Sequence, residues 1–247
     1  MLYCAILRSP HAAADILNID LTPALAVSGV VDAVTVDDFS GSRYVNYGPA
    51  YSDRHAMAKD KVRFYGEEVA AVAAESVQAA WLGVRAISIG YKEYAAAPTV
   101  EAALAPGAPD IHPRRDKLSS NVVQSVDVQL GDTAGAFDRA ALVVEGDYEH
   151  GVVWPVCMET NAAVASFDRA TGKLEVWCGT QAPFFVRKEL AQVIGLEPKN
   201  IIVRSVAIGG GFGGKSQAPE QIAIAALLSK RTGRPVKVVL SRDEEYI

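Results

Sequence analysis

The chain has 247 residues, half of them apolar, with 24 Lys and Arg against 29 Asp and Glu for a formal net charge of −5. A chain of this length buries roughly 70–75% of its unfolded surface, which excludes a disordered tail or a disulfide-stapled miniprotein. Its acidic balance, without a Lys/Arg cluster, argues against nucleic-acid and membrane partners, and no apolar run reaches the ~18 residues of a membrane-spanning helix.

Residues 1–10 hold too short an apolar stretch, and no basic flank, for a secretory signal. Cys4, Cys157 and Cys178 are scattered, odd in number and lack C-x-x-C spacing. That pattern argues against a disulfide framework, a zinc site or an iron–sulfur cluster within this chain, and fits a reducing, cytoplasmic setting.

Residues 69–74 form a short apolar run, as a buried strand requires. Ser76 is placed to cap a helix running through Trp81. Ile87, Ile89 and Tyr91 then alternate with Ala86, Ser88 and Gly90, which predicts a strand. Residues 105–120 are rich in Pro, Gly and charge and read as a linker, with a domain boundary near 115.

In the second half, Leu174, Val176 and Cys178 alternate with Glu175 and Trp177 and predict another strand. A turn over 179–183 leads into a helix over 184–194, stopped by Gly195. Residues 201–206 predict the next strand, and a glycine-rich loop follows. A further helix starts near Pro219, a residue suited to a first turn, and 236–240 is one more strand. If the strands at 174–178 and 201–206 are parallel neighbours, the loops after them share one rim, where open α/β sheets bind ligands. Gln181 and the glycine loop are then expected to face one crevice.

Gly209-Gly210-Gly211-Phe212-Gly213-Gly214-Lys215-Ser216 is the strongest local signal. Glycine lets backbone N–H groups turn inward, and successive N–H groups form a concave anion site. The plain alternative is a flexible turn. Gly209-x-x-x-x-Gly214-Lys215-Ser216 matches a nucleotide P-loop, and Gly209-x-Gly211-x-x-Gly214 matches a dinucleotide fingerprint. In a P-loop the helix begins at the Lys-Ser end, which would place Pro219 inside it at a cost of about 3 kcal/mol. A dinucleotide fold calls for an acid about 20 residues further on. Position 234 is Arg and the nearest later acid is Asp243, so the spacing is poor, and an NADP reading through Arg242 stays open.

A third reading rests on resemblance. Gly209-Gly210-Gly211-Phe212-Gly213-Gly214-Lys215 is similar to the signature loop of the molybdenum hydroxylases, the xanthine dehydrogenase/aldehyde oxidase family. Ile6-Leu7-Arg8-Ser9-Pro10-His11-Ala12 resembles the start of that family's α/β-hammerhead domain. Gly29 to Thr35, Val62 to Val72 and Tyr91 to Pro98 continue it in order. Gly131-Asp132, Met158-Glu159, Thr180-Gln181-Ala182-Pro183, the glycine loop, Gly233-Arg234-Pro235-Val236-Lys237 and Ser241-Arg242-Asp243-Glu244 then follow in family order.

The resemblance implies an α+β chain: an α/β-hammerhead domain over 1–115, then the N-terminal part of an α/β molybdopterin-binding domain over 116–247. It implies molybdenum–molybdopterin, as the cytosine dinucleotide or a related form. Family members hydroxylate a carbon centre with oxygen from water and pass two electrons onward. In the family the Gln of the Thr-Gln motif sits beside an oxo ligand of molybdenum, and the backbone at the loop Phe lies at the metal. Carried over, Gln181 and Phe212 are at the metal, and Gly210, Gly211 and Gly213 complete the cofactor contacts. Neutral donors beside an oxo ligand suit chemistry in which that oxygen carries negative charge.

Departures refine what the resemblance implies. Purine-oxidising members carry Glu after the loop Lys where this chain has Ser216, so xanthine is not supported as substrate. Met158-Glu159 is followed by Thr160 rather than Pro, and Glu159 reads as a structural carboxylate. In the family the general-base glutamate lies beyond the region matched by residue 247, and no residue here is assigned a catalytic role. Either a second chain completing the molybdopterin domain is therefore expected, or the chain is a truncated product; iron–sulfur and FAD subunits and a small-molecule substrate are the further partners. The expected function is the molybdopterin-binding part of a hydroxylase oxidising an aldehyde or aromatic N-heterocycle. The alternative is a non-catalytic pterin- or nucleotide-binding subunit. His11, His55, His112 and His150 lack metal-ligand spacing, the tyrosines of the first half read as packing residues, and Asp243-Glu244-Glu245 reads as a solvated turn.

Overall fold

The computed structural model describes residues 1–41, 44–45, 54–112, 121–122, 124–216 and 220–247. Its first half runs β1 (Leu2–Arg8), β2 (Ala14–Asp20), α1 (Thr22–Leu25), β3 (Val30–Thr35), β4 (Tyr44–Val45), β5 (Arg54–His55) and β6 (Lys61–Val62). There follow β7 (Glu68–Ala74), α2 (Val77–Ala86), β8 (Ser88–Glu93) and α3 (Val100–Leu104). The second half holds α4 (Thr133–Arg139), β9 (Ala162–Asp168), β10 (Lys173–Cys178), α5 (Pro183–Ile194), β11 (Ile201–Ser205), α6 (Glu220–Thr232), β12 (Val236–Val239) and α7 (Arg242–Glu245).

A seven-stranded sheet in the order β11-β10-β9-β12-β1-β7-β3 takes strands from both halves of the sequence. Its two parallel pairs are β10 with β11, Leu174 opposite Ile201, and β1 with β12, Leu2 opposite Val236; its other neighbours are antiparallel. A three-stranded sheet, β6-β2-β8, packs Ala14, Val62 and Val69 into a separate small core. The class is mixed, α+β, as expected.

β7 is the apolar run of the sequence, and all seven of its residues are buried. Alternate side chains leave a strand on opposite faces. Ala71 and Ala73 accordingly join the core under α5 and α6, while Val72 and Ala74 pack against α2. Ser76 caps α2 by accepting the Ala79 N–H at 3.1 Å. Gly195 closes α5 at φ +68, a left-handed value that costs glycine little. α6 is buried without a break from Glu220 to Ser229, the signature of a helix enclosed on every side.

β1, β2, β3 and β9 have no counterpart in the sequence reading. In β1, Leu2, Ala5 and Ile6 are buried, so its two-residue alternation is blurred by apolar contacts on both faces. Pro219, Tyr47, Tyr51 and the boundary near 115 lie outside the described residues. No helix among the described residues is long and apolar enough to cross a membrane.

The acidic run at 243–245 is not a solvated turn. It lies in α7, where Glu244 Oε1 stands 3.4 Å from Arg8 Nε and Glu244 Oε2 accepts the Ser241 N–H at 2.8 Å. Glu245 receives both Nδ2 and the main-chain N–H of Asn161, each at 2.8 Å. These carboxylates fold inward because fixed donors on β1 and ahead of β9 satisfy them.

Candidate molybdopterin site

β10 and β11 are parallel over five residue pairs, so the loops after them leave the sheet on one rim. The first loop carries Thr180 and Gln181, and the second is the glycine loop. Main-chain and side-chain bonds lace the two together. The Gln181 N–H donates to the Lys215 carbonyl at 2.8 Å, and the Thr180 hydroxyl donates to the same oxygen at 3.3 Å. In return the Lys215 N–H donates to Gln181 Oε1 at 3.2 Å.

This bond fixes the orientation of the Gln181 carboxamide. Only its oxygen can accept an N–H, so Oε1 faces Lys215 and the Nε2 donors face away. Gln181 is exposed at the rim, and Nε2 has no partner among the described residues.

At Gly209 and Gly211 the glycine loop leaves no room for a side chain. A Cβ at Gly211 would lie 2.6 Å from Gln181 Cδ, and one at Gly209 would lie 2.6 Å from Glu159 Cβ. Gly210 sits at φ +104, and Phe212 adopts φ +46 with its ring 79% exposed. A non-glycine residue held left-handed stores of order 1–3 kcal/mol, and such strain concentrates at functional sites. The Gly214 N–H closes a turn onto the Gly211 carbonyl at 2.7 Å. The N–H groups of Gly210, Gly211, Phe212 and Gly213 have no partner among the described residues. Four consecutive N–H groups without a partner among the described residues, on a loop whose Gly211 packs against the Gln181 side chain, are a donor set of the kind that suits an oxygen-rich, anionic group, and a molybdopterin is such a group. Among the described residues, no cluster of three His, Cys, Asp or Glu side chains is placed to hold a metal directly.

Lys215 overturns the P-loop reading. Its side chain is 1% exposed, and its Nζ lies 2.7 Å from Glu159 Oε2 and 3.2 Å from the Glu159 carbonyl. An ammonium spent in this way is not offered to a phosphate. Bonding from Lys215, and then from the Gly209 N–H, holds the Glu159 carboxyl below the usual carboxylate range. The sequence reading recognised Glu159 as structural but missed its partner. Two motif residues 56 positions apart carry no local signal of contact.

Ser216, at the position of the purine-associated Glu, turns its hydroxyl onto the Gly213 carbonyl at 2.6 Å. Glu220, the nearest acid after the loop, is buried. Its Oε1 stands 3.0 Å from Arg54 Nε, and Arg54 Nη2 lies 3.4 Å from Glu68. Burial first, and then the Glu68 carboxylate, push Glu220 up to about 7. These residues, with Arg8, Trp154 and Arg242, line a cavity of about 320 Å³ that also touches Gly213 and Gly214.

Residues 113–247 match the family model of the molybdopterin cofactor-binding domain, and residues 1–95 match that of the aldehyde oxidase and xanthine dehydrogenase a/b hammerhead domain. The chain belongs to the xanthine dehydrogenase/aldehyde oxidase family of molybdenum hydroxylases. It is 33% identical over 244 residues to the nicotinate dehydrogenase large molybdopterin subunit of Eubacterium barkeri, a match covering 99% of this chain and 55% of that protein. Quinoline 2-oxidoreductase from Pseudomonas putida 86 superposes with a TM-score of 0.87 at 33% identity, over 100% of this chain and 32% of that one. The aldehyde oxidoreductase of Desulfovibrio gigas superposes with a TM-score of 0.88 at 27% identity, over 99% and 27%. The chain thus spans about half, or less, of the length of these relatives.

Proposed function

We propose that this chain is the molybdopterin-holding part of a molybdenum hydroxylase that oxidises an aldehyde or an aromatic N-heterocycle with oxygen from water. The observation that carries the reading is the convergence of Gln181 Nε2 with the free N–H groups of Gly210, Gly211, Phe212 and Gly213 on one rim. When bound, the molybdenum–molybdopterin group, as the cytosine dinucleotide or a related form, supplies two-electron redox chemistry.

The residues of this chain bind and orient. The Gln181 carboxamide and the Phe212 backbone present neutral donors where negative charge develops, and donors already fixed in place need no reorganisation during reaction. The Phe212 ring offers an apolar wall. Ser216, bonded within its own loop, presents no charge to a substrate, which favours a substrate other than xanthine. The loop itself holds no carboxylate to act as a base, and Glu220 is turned into a buried ion cluster. A general base from further chain, continuing past residue 247 or on a second polypeptide, completes the site in this reading. Iron–sulfur and FAD centres on partner subunits carry the electrons away, and the setting is cytoplasmic.

The test is the molybdenum content of the tagged protein purified gently from a host that makes the cofactor, with co-purifying chains identified in the same sample. Near-stoichiometric molybdenum is the expected outcome. Metal-free protein from such cells overturns the reading.

A further inference from the structure

The two ends of the glycine loop converge on one side chain. Glu159 Oε2 accepts the Gly209 N–H at 2.9 Å, at the entrance of the loop, and Lys215 Nζ at 2.7 Å, at its exit. The main chain of Glu159 repeats the pattern. Its N–H donates to the Gly209 carbonyl at 3.2 Å, and its carbonyl accepts Lys215 Nζ at 3.2 Å. Lys215 is in turn the residue whose main chain holds Gln181 through two bonds. A continuous path therefore runs from the Glu159 carboxylate through Lys215 to the carboxamide at the rim.

Glu159 is itself anchored. Arg242 donates from Nη1 to the Cys157 carbonyl and from Nη2 to the Met158 carbonyl, each at 2.7 Å. Glu245 grips Asn161 through two bonds, and the Asn161 carbonyl accepts the Leu240 N–H at 2.9 Å. The turn from Cys157 to Asn161 is thus fixed to α7 and to the end of β12 on both sides of Glu159. The Cys157 thiol adds a contact of 3.6 Å to the Gly211 carbonyl. A loop with five glycines in six positions is costly to order, since each glycine loses more conformational freedom on ordering than any other residue. The bonds within the loop, from Gly214 to Gly211 and from Ser216 to Gly213, close only its second half, and the contacts to Glu159 fix its two ends.

We propose that Glu159 is a positioning residue, clasping both ends of the glycine loop and, through Lys215, setting the direction of the Gln181 carboxamide, with the Arg242 and Glu245 contacts of α7 as its brace. This rests on the reading of the loop and Gln181 as the cofactor cradle, but it concerns the cradle before any cofactor arrives.

The test is hydrogen exchange of the full-length protein, in whatever assembly it purifies, for the wild type, Glu159→Gln, Lys215→Met and the double variant. Lys215 is buried and Glu159 is partly exposed, so removing the carboxylate leaves a buried ammonium unsatisfied, while removing both relieves that penalty. The expected result for Glu159→Gln is exchange of the bonded loop amides, Gly209, Gly214 and Lys215, faster by about 10- to 100-fold, with the amides of β9, β10 and β11 within about twofold of the wild type. The double variant is expected to exchange more slowly at these amides than Glu159→Gln, in which the buried Lys215 ammonium is left without its carboxylate. Unchanged loop exchange in Glu159→Gln overturns the proposal. So does exchange that rises evenly over the sheet, the mark of a merely structural residue. Molybdenum content of the same samples separates the two readings: fast loop exchange in the variant beside a metal-free wild type keeps the clasp and removes the cofactor assignment.

Discussion

Two segments of this chain carry the same binary pattern and meet different ends. In β10, Leu174, Val176 and Cys178 alternate with Glu175 and Trp177, and the three are buried. Val126, Val128 and Leu130 alternate with Asp127 and Gln129 in the same way, yet stand 70%, 83% and 90% exposed. Val144, Tyr148 and Val152 are exposed as well. β10 has β9 on one side and β11 on the other. Residues 126–130 have no strand partner among the described residues. Alternation makes a segment fit to be a half-buried strand; hydrogen-bonded neighbours make it one. The relatives compared above extend well beyond the region they share with this chain.

The sharpest way to break the comparison is to truncate equivalent positions in the two segments. Leu174→Ala removes a fully buried side chain and is expected to cost 2–5 kcal/mol, about the range for such cavities, in a denaturant titration. Val128→Ser in the same assay is expected to stay within about 0.5 kcal/mol, while self-association seen by sedimentation falls. A large loss at Val128 would mean that residues 126–130 are already packed.

A second handle is pH. Glu220 lies at the N-terminus of α6 with its carboxyl raised to about 7, well above the ordinary value. Between the unfolded value and about 7, the folded state holds a proton that the unfolded state has lost. This contribution is therefore complete at low pH and is lost as pH rises through that window, by at most about 1.4 kcal/mol per pH unit. Glu220→Gln should flatten that slope. An unaltered slope would remove Glu220 as its source.

The smallest effect expected of the packed region is at a cap. Ser76→Ala removes the bond to the Ala79 N–H and should lower stability by about 1 kcal/mol. A change below a few tenths would show that α2 is held by its packing on β1 and β7 alone.

Much of the second half was legible in the sequence. Short-range rules place β10, α5, β11 and β12, because their signals are a two-residue alternation, a left-handed glycine stop and an apolar run. The parallel pairing of β10 with β11 then places Gln181 and the glycine loop together, the condition under which the strand–loop–helix alternation puts both on one rim. Three features were not legible. The Glu159–Lys215 pair joins distant positions, the inward turn of Glu244 and Glu245 depends on Arg8 and Asn161, and the Arg54–Glu220 cluster crosses most of the chain.

The sequence by itself determined which segments can be strands and helices, which loop lets its N–H groups face a ligand, and to which family the chain belongs. Only the tertiary structure decided that β1 closes a sheet with β12, that Lys215 serves a carboxylate rather than a phosphate, and which of two alternating segments is buried. The reason is one of range. Propensity, capping and glycine geometry act over a few residues, whereas desolvation and ion pairing depend on groups that only folding brings together.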